Sequence, residues 1–274
     1  MSLATSARSE TTKLFTTVMW WILALVLVVY VGMTAAGLGF VFSASATGAL
    51  PGEGNGPQVP ADGVAGVLYS IAASVGYVFP LLIGTLMVTA EFRHKTLTPT
   101  FLATPRRGTV LWAKAVVGVG IGAVYAVLAI IAAAGPAAGF LAGFGLDTDL
   151  ASSDTWAMFG RIVLAFALWV LIGIGVGALV RNQVAAVVIV LAFTQFIEPI
   201  GRVAAAFVKG LDKVTQFLPG AASDALVGQS IYTSMGQSTG AAQLEWWAGG
   251  IVLLAYAVVL IVIGNYASWR RDVS

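Results

Sequence analysis

The sequence predicts an all-α integral membrane protein with six transmembrane helices and both termini on the cytoplasmic side. Three observations carry this. Of the 274 residues, 59% are hydrophobic and only 9% are charged, whereas a soluble domain carries about 25% charged residues. Apolar runs long enough for a hydrocarbon core of roughly 30 Å recur along the whole chain. Lys and Arg are also unevenly placed. Arg8, Lys13, Arg93, Lys95, Arg106, Arg107, Lys114, Arg181, Arg270 and Arg271, ten of the 14 cations, fall on one side if the runs cross in alternation. Short loops rich in Lys and Arg stay in the cytoplasm, and six spans satisfy that rule at every loop.

The composition also excludes chemistries. There is no cysteine, so disulfides, thiol catalysis and thiolate metal sites are out. A single histidine, His94, cannot build a histidine metal centre. No G-x-x-x-x-G-K-[ST] motif occurs, so any ATP hydrolysis belongs to another chain. The formal charge of +2 hides that asymmetry between the two sides, and no nucleic-acid partner is expected.

Residues 1–17 are polar and then amphipathic, with Leu14 and Phe15 beside Arg8, Glu10 and Lys13. They read as a short interfacial helix along the inner face rather than a solvated tail. Val18 to Phe42 is the first span; its length exceeds a signal-peptide core of about 7–15 residues, so it is retained. Ser43 to Gly63 holds Pro51, Pro57, Pro60, Glu53 and Asp62 and no cation, as an external loop should. The second span runs from about Val64 to Ala90. Pro80 inside it removes one backbone hydrogen bond and marks a kink point. The third, about Val110 to Ala134, is expected to end at Gly135-Pro136, before an acidic external loop with Asp147, Asp149 and Asp154. The fourth, about Ile162 to Val180, carries Gly173-x-x-x-Gly177. That small-xxx-small spacing suits close helix contact, although an Ala- and Gly-rich chain also produces it by chance. Arg181-Asn182-Gln183 is a tight turn into the fifth run, Val184 to Val208.

The fifth run holds two charged candidates at membrane depth, Glu198 and Arg202, around Pro199. Intramembrane ionisable residues are functional candidates by default. The reading favoured here is structural: the helix breaks at Pro199, and Glu198 pairs with Arg202 near the outer surface. Residues 209–245 form an external loop, part of it re-entrant, and Trp246 to Tyr266 is the last span.

The stretch Glu91 to Arg107, EFRHKTLTPTFLATPRR, is the chain's polar centre. Thr98-Pro99 and Thr104-Pro105 each read as an N-cap followed by a proline at the first helical position. Pro99 starts a helix of one or two turns carrying Phe101 and Leu102, and Pro105 starts the helix that re-enters the membrane. A short apolar helix flanked by cations at the inner face is suited to touching a cytoplasmic protein.

These residues resemble a known family. Glu-Phe-Arg-His-x-Thr-Leu, then Thr-Pro-Arg-Arg, then Lys114, is similar to the connection between spans two and three of type-2 ATP-binding-cassette (ABC) exporter permeases. The segment Arg8-Ser9-Glu10-Thr11-Thr12-Lys13-Leu14 resembles the opening of such permeases. Lys95 departs from the pattern, since relatives often carry glycine there. The resemblance implies a single permease domain over residues 1–274, with residues 91–107 as a coupling segment that docks on a separate ATPase. Glu91, Arg93, His94, Thr98, Phe101, Leu102, Pro105, Arg106 and Arg107 are then the coupling residues, with Phe101 and Leu102 filling an apolar cleft. Glu91, as the one acid among cations, would position Arg93 or Lys95 or cap a helix.

The resemblance further implies two ATPase copies carrying the ATP and magnesium, with no cofactor in this chain. It implies a homodimer in the plasma membrane, in contact with lipid, in which the first and fifth spans meet. Nearly charge-free spans suit an apolar or amphipathic cargo such as a drug, lipid or antimicrobial peptide. Two other classes stay open: a non-transporting scaffold or sensor subunit of an ATPase complex, and a lipid-modifying enzyme. For the enzyme, no paired carboxylates or nucleophile with a base are visible, and Glu198 reads as isolated from other acids.

Overall fold

A computed structural model describes residues 3–49, 63–96, 100, 107–208, 210–231 and 244–269. The described elements are helical: α1 (Leu3–Thr16), α2 (Met19–Ala46), α3 (Val64–Ser74), α4 (Val78–Arg93), α5 (Arg107–Gly143), α6 (Ser153–Leu179), α7 (Gln183–Ala192), α8 (Glu198–Phe207), α9 (Asp212–Thr215), α10 (Pro219–Val227) and α11 (Trp246–Gly264). Two π turns, Phe193–Ile197 and Asn265–Trp269, follow α7 and α11. Six helical stretches are long and apolar enough to cross a membrane, so the chain reads as a multi-pass membrane protein. α3 and α4 form one of these stretches, as do α7 and α8 with the π turn between them.

The second and fourth stretches form the interior. Within their most apolar windows 94% and 67% of residues are buried, against 28%, 22% and 22% in the first, fifth and sixth. α6 packs against α4, α5 and α11. Glycine makes this possible, because helices approach closely where no side chain intervenes. A Cβ on Gly173 would stand 2.2 Å from the Leu81 carbonyl oxygen, and one on Gly177 would stand 2.6 Å from that of Thr85. The Gly173-x-x-x-Gly177 spacing is therefore a real α4–α6 contact and not an accident of composition. Around it, Trp169, Tyr69, Tyr125, Phe166 and Leu141 are fully buried.

Several boundaries differ from the sequence expectation. The third span does not stop at Gly135-Pro136, and α5 continues through Pro136 to Gly143. Proline removes one backbone hydrogen bond, but Ala133, Ala137 and Leu141 are wholly buried on both sides of it. The Phe40 ring also lies 5.9 Å from those of Phe140 and Phe144, so packing against α2 carries the helix onward. The fourth span begins earlier than Ile162, at Ser153, where Ser152 caps the helix by accepting from the Asp154 amide at 3.2 Å. Nor does the fifth run break at Pro199. The π turn at Phe193–Ile197 widens the helix just before the proline, which then sits in the first turn of α8, where its missing amide hydrogen costs little. Pro80 likewise lies in the first turn of α4, after an irregular turn at Val75–Tyr77.

The 209–245 segment is not simply an external loop. It contains α10, in which Pro219, Gly220, Ala222, Ser223, Asp224, Leu226 and Val227 are buried. α10 packs against α3, α6 and α11. Pro219 starts it and Gly228, at φ 90°, ends it in the left-handed conformation that glycine tolerates.

Candidate functional site

Two buried ionic clusters stand out, one at the Arg93 end of the bundle and one deep in its opposite half.

The first is built by three elements. α1 presents Glu10 and Lys13, the last turn of α4 presents Glu91, and the second turn of α5 presents Lys114. Lys114 is 1% exposed. Its ammonium donates to Glu10 Oε2 at 2.5 Å and to the Met87 carbonyl at 3.1 Å, and lies 3.1 Å from Glu91 Oε1. Lys13 Nζ donates to Glu10 Oε1 and Glu91 Oε1, both at 2.7 Å, and reaches Thr100 Oγ1 at 3.5 Å. Two carboxylates thus face two ammonium groups, and the cluster is neutral with every group ionised. Burial alone would push the Glu10 carboxyl up. Lys114, with Lys13 behind it, outweighs that and holds it below its ordinary value. Burial would likewise lower Lys13, but Glu10 and Glu91 raise it above its ordinary value.

Glu91 therefore does something other than expected. Among the described residues its side chain meets Lys13 and Lys114 rather than Arg93 or Lys95, and joins α4 to α1 and α5. Arg93 and His94 are exposed, and Arg93 Nη1 reaches Gln183 Oε1 at 3.5 Å across to α7. Lys95 stands at φ 55°, a left-handed conformation that glycine adopts without cost. Thr98, Phe101, Leu102, Pro105, Arg106 and the side chain of Arg107 lie outside the described residues. Asn182 caps α7, accepting from the Val184 and Ala185 amides at 2.9 and 3.1 Å.

The second cluster contains both intramembrane candidates. Glu198 pairs with Arg202 at 3.2 Å, as expected, but it is not isolated from other acids. Asp224, on α10, takes the same guanidinium at 2.6 Å. Asp224 Oδ1 also accepts from Ser74 Oγ at 2.9 Å, and Ser74 lies 3.2 Å from Ser230 Oγ. Glu198 Oε1 accepts from the Ala221 amide at 3.1 Å, so it caps the start of α10. Tyr77, in the irregular turn, donates to the Thr194 carbonyl in the π turn at 3.1 Å. Beyond Asp224 opens a cleft of about 390 Å³, lined by Arg161, Gln229, Glu245 and Trp246, where Arg161 stacks over Trp246 at 5.9 Å.

Sequence reasoning passed over Asp224 because it sits in a stretch of mixed small and polar residues. Its signal was the pairing of Pro219 with Gly228, which brackets a helix. Lys114 was visible as the lone charge in an apolar run, but not its partners. Among the described residues no group of three or more His, Asp or Glu is placed to hold a metal ion. No family model matches the chain, and no curated protein matches it significantly. Its function has to be read from these clusters and the sequence between them.

Proposed function

We propose that the chain is the membrane-spanning permease subunit of an ABC exporter, moving an apolar or amphipathic cargo outward on ATP hydrolysed by a separate subunit. The observation that carries this reading is the cluster of Glu10, Lys13, Glu91 and Lys114. It ties the N-terminal helix and both flanks of the 91–107 segment into one neutral, buried unit. A segment held this way can hand a push from a cytoplasmic partner to the second and third spans together, as a two-state change requires. Both termini and residues 91–107 then face the cytoplasm, in the plasma membrane, and the stretch holding α10 dips partly back from the outer face.

Two copies pair, with ATP and magnesium on two ATPase subunits. The first and fifth spans are the natural meeting surface. They are among the least buried of the six, and both flank the second span, through the Tyr30–Phe79 ring contact and the Tyr77–Thr194 bond.

The test is copurification of the full chain from its native membrane, followed by Phe101→Ala. Truncating an aromatic anchor at an interface costs about 2–4 kcal/mol. The variant should therefore lose the ATPase, or keep it while transport no longer follows hydrolysis. An ATPase that stays bound with transport intact refutes the coupling role. Copurification of an ATPase whose hydrolysis no compound stimulates favours a scaffold.

A further inference from the structure

The two clusters differ in one respect that matters at membrane depth. At the α1 end, two acids meet two cations. In the deeper cluster, Glu198 and Asp224 share the single guanidinium of Arg202. With all three ionised that group carries one uncompensated negative charge. Among the described residues, the other titratable groups around it do not remove it. The Tyr77 hydroxyl donates to the Thr194 carbonyl. Arg161 and Glu245 line the adjoining cleft and balance each other. Asp212 and Lys213 sit on the turn beyond α8 and are likewise opposite in sign. Glu198 is 1% exposed and lies about 22 Å along the helix from Gln183, at 1.5 Å per residue. An unbalanced charge buried there is strongly disfavoured.

The geometry shows where the balance is made. Arg202 and the Ala221 amide both address Glu198 Oε1, and the Gly220 amide also lies against the carboxylate. Oε2 is buried without a hydrogen-bond partner among the described residues. Glu198 also borders a void of about 10 Å³ enclosed by Ser74, Tyr77, Pro199, Arg202 and Asp224. That is room for a single water. A metal ion there would face the guanidinium at close range, whereas a proton on Oε2 adds no volume.

We propose that Glu198 is an exchangeable proton-binding site, occupied while Asp224 holds Arg202. The proton neutralises the cluster, leaving Arg202 and Asp224 as a matched pair. If α10 shifts so that Asp224 moves toward the cleft, Arg202 turns wholly to Glu198. The O–H bond at Oε2 then breaks, its electron pair stays on the carboxylate, and a water in the void takes the proton out past Asp224. Charge is conserved: an Arg202–Glu198 pair replaces the Arg202–Asp224 pair, and Asp224 is left hydrated in the cleft. One proton is thereby linked to the position of α10, and by reciprocity the proton concentration biases that position. The inference stands whether or not the chain is an exporter subunit.

Infrared spectroscopy of the full chain in vesicles of ether-linked phosphatidylcholine, which has no ester carbonyl, tests it. At pH 7 the wild type should show a protonated-carboxyl C=O band equivalent to one group per chain, shifting in D2O. Glu198→Gln should abolish it. Asp224→Asn should abolish it too, with Glu198 still present, because Glu198 then has the guanidinium to itself. Glu91→Gln should leave the band intact. Absence of the band in the wild type overturns the proposal, and so does its survival in Glu198→Gln or its loss in Glu91→Gln. A band that vanishes when sodium replaces a bulky cation at constant ionic strength overturns it in favour of a metal ion. Should Glu198→Gln fail to fold, the wild-type and Asp224→Asn spectra decide.

Discussion

Lys114 offers the sharpest measure of the cluster at the α1 end. Lys114→Met keeps most of the side-chain volume and removes the charge. What it strips away is one bond to Glu10 at 2.5 Å, one to the Met87 carbonyl at 3.1 Å, and the approach to Glu91 at 3.1 Å. Glu10 and Glu91 are then left, both 5% exposed, to share Lys13. Removing one partner of a buried ion pair costs about 3–5 kcal/mol, most of it the stranded charge. Lys13→Met should cost less, at most about 1 kcal/mol, because its side chain is 40% exposed and water screens the loss. The assay is reversible unfolding of the purified full chain in mixed micelles, followed by tryptophan fluorescence. In a double-mutant cycle, adding Glu10→Gln to Lys114→Met should return about 1–3 kcal/mol, since the stranded acid is gone. Equal stability of Lys114→Met and wild type, or strict additivity in the cycle, would refute the argument that these groups form one unit.

Two further predictions follow from the same structure. Gly173→Ala should destabilise by about 1–3 kcal/mol, because its Cβ would stand 2.2 Å from the Leu81 carbonyl; Gly160→Ala, with nothing within 4 Å of its Cβ, should be neutral or slightly stabilising in the same melt. Docking of α1 should hold over a broad pH window with two edges. Glu10 titrates below its ordinary 4.5, so its contribution is complete above that value and is lost as pH falls through the lowered one; Lys13 titrates above its ordinary 10.5, so its contribution is complete below that value and is lost as pH rises through the raised one. The chain has no native cysteine, so a single cysteine at the buried Ser6 reports α1 release by thiol labelling. Labelling that changes most near pH 7 would contradict both assignments.

Much of the architecture could be read from the sequence, because the physics that sets it is local and one-dimensional. A run of 20 apolar residues must be satisfied within itself, so span number followed from composition and charge placement. Prolines misled because their effect depends on what surrounds them. Pro136 and Pro199 each read as a helix end, yet one is bridged by buried alanines packed on α2 and the other by a π turn. The candidate sites were half legible for a related reason. Glu198 and Arg202 are one turn apart, so spacing alone paired them. Asp224 lies 22 residues beyond Arg202, and Glu10 lies 104 residues before Lys114. Those partners depend on how helices pack, which no periodicity encodes.

The positions of the two clusters along the second span tie these observations together. α4 carries Glu91 in its last turn, locked to α1 and α5; at the span's other half Ser74, closing α3, meets α10, and Tyr77, in the irregular turn, meets the π turn. The 17 residues from Ser74 to Glu91 cover about 25 Å at helical rise, most of a bilayer core. Between the clusters the span packs closely on α6 at Gly173 and Gly177, where an added Cβ would run into the Leu81 and Thr85 carbonyls. Movement of α3 and α4 together displaces Glu91 against Lys13 and Lys114 at one end, and Ser74 against Asp224 at the other. Each cluster has discrete ion pairs rather than a continuous apolar surface, so each resists small displacements and yields to large ones. If the proposed coupling role holds, the second span links a push at the basic segment to the acid at membrane depth.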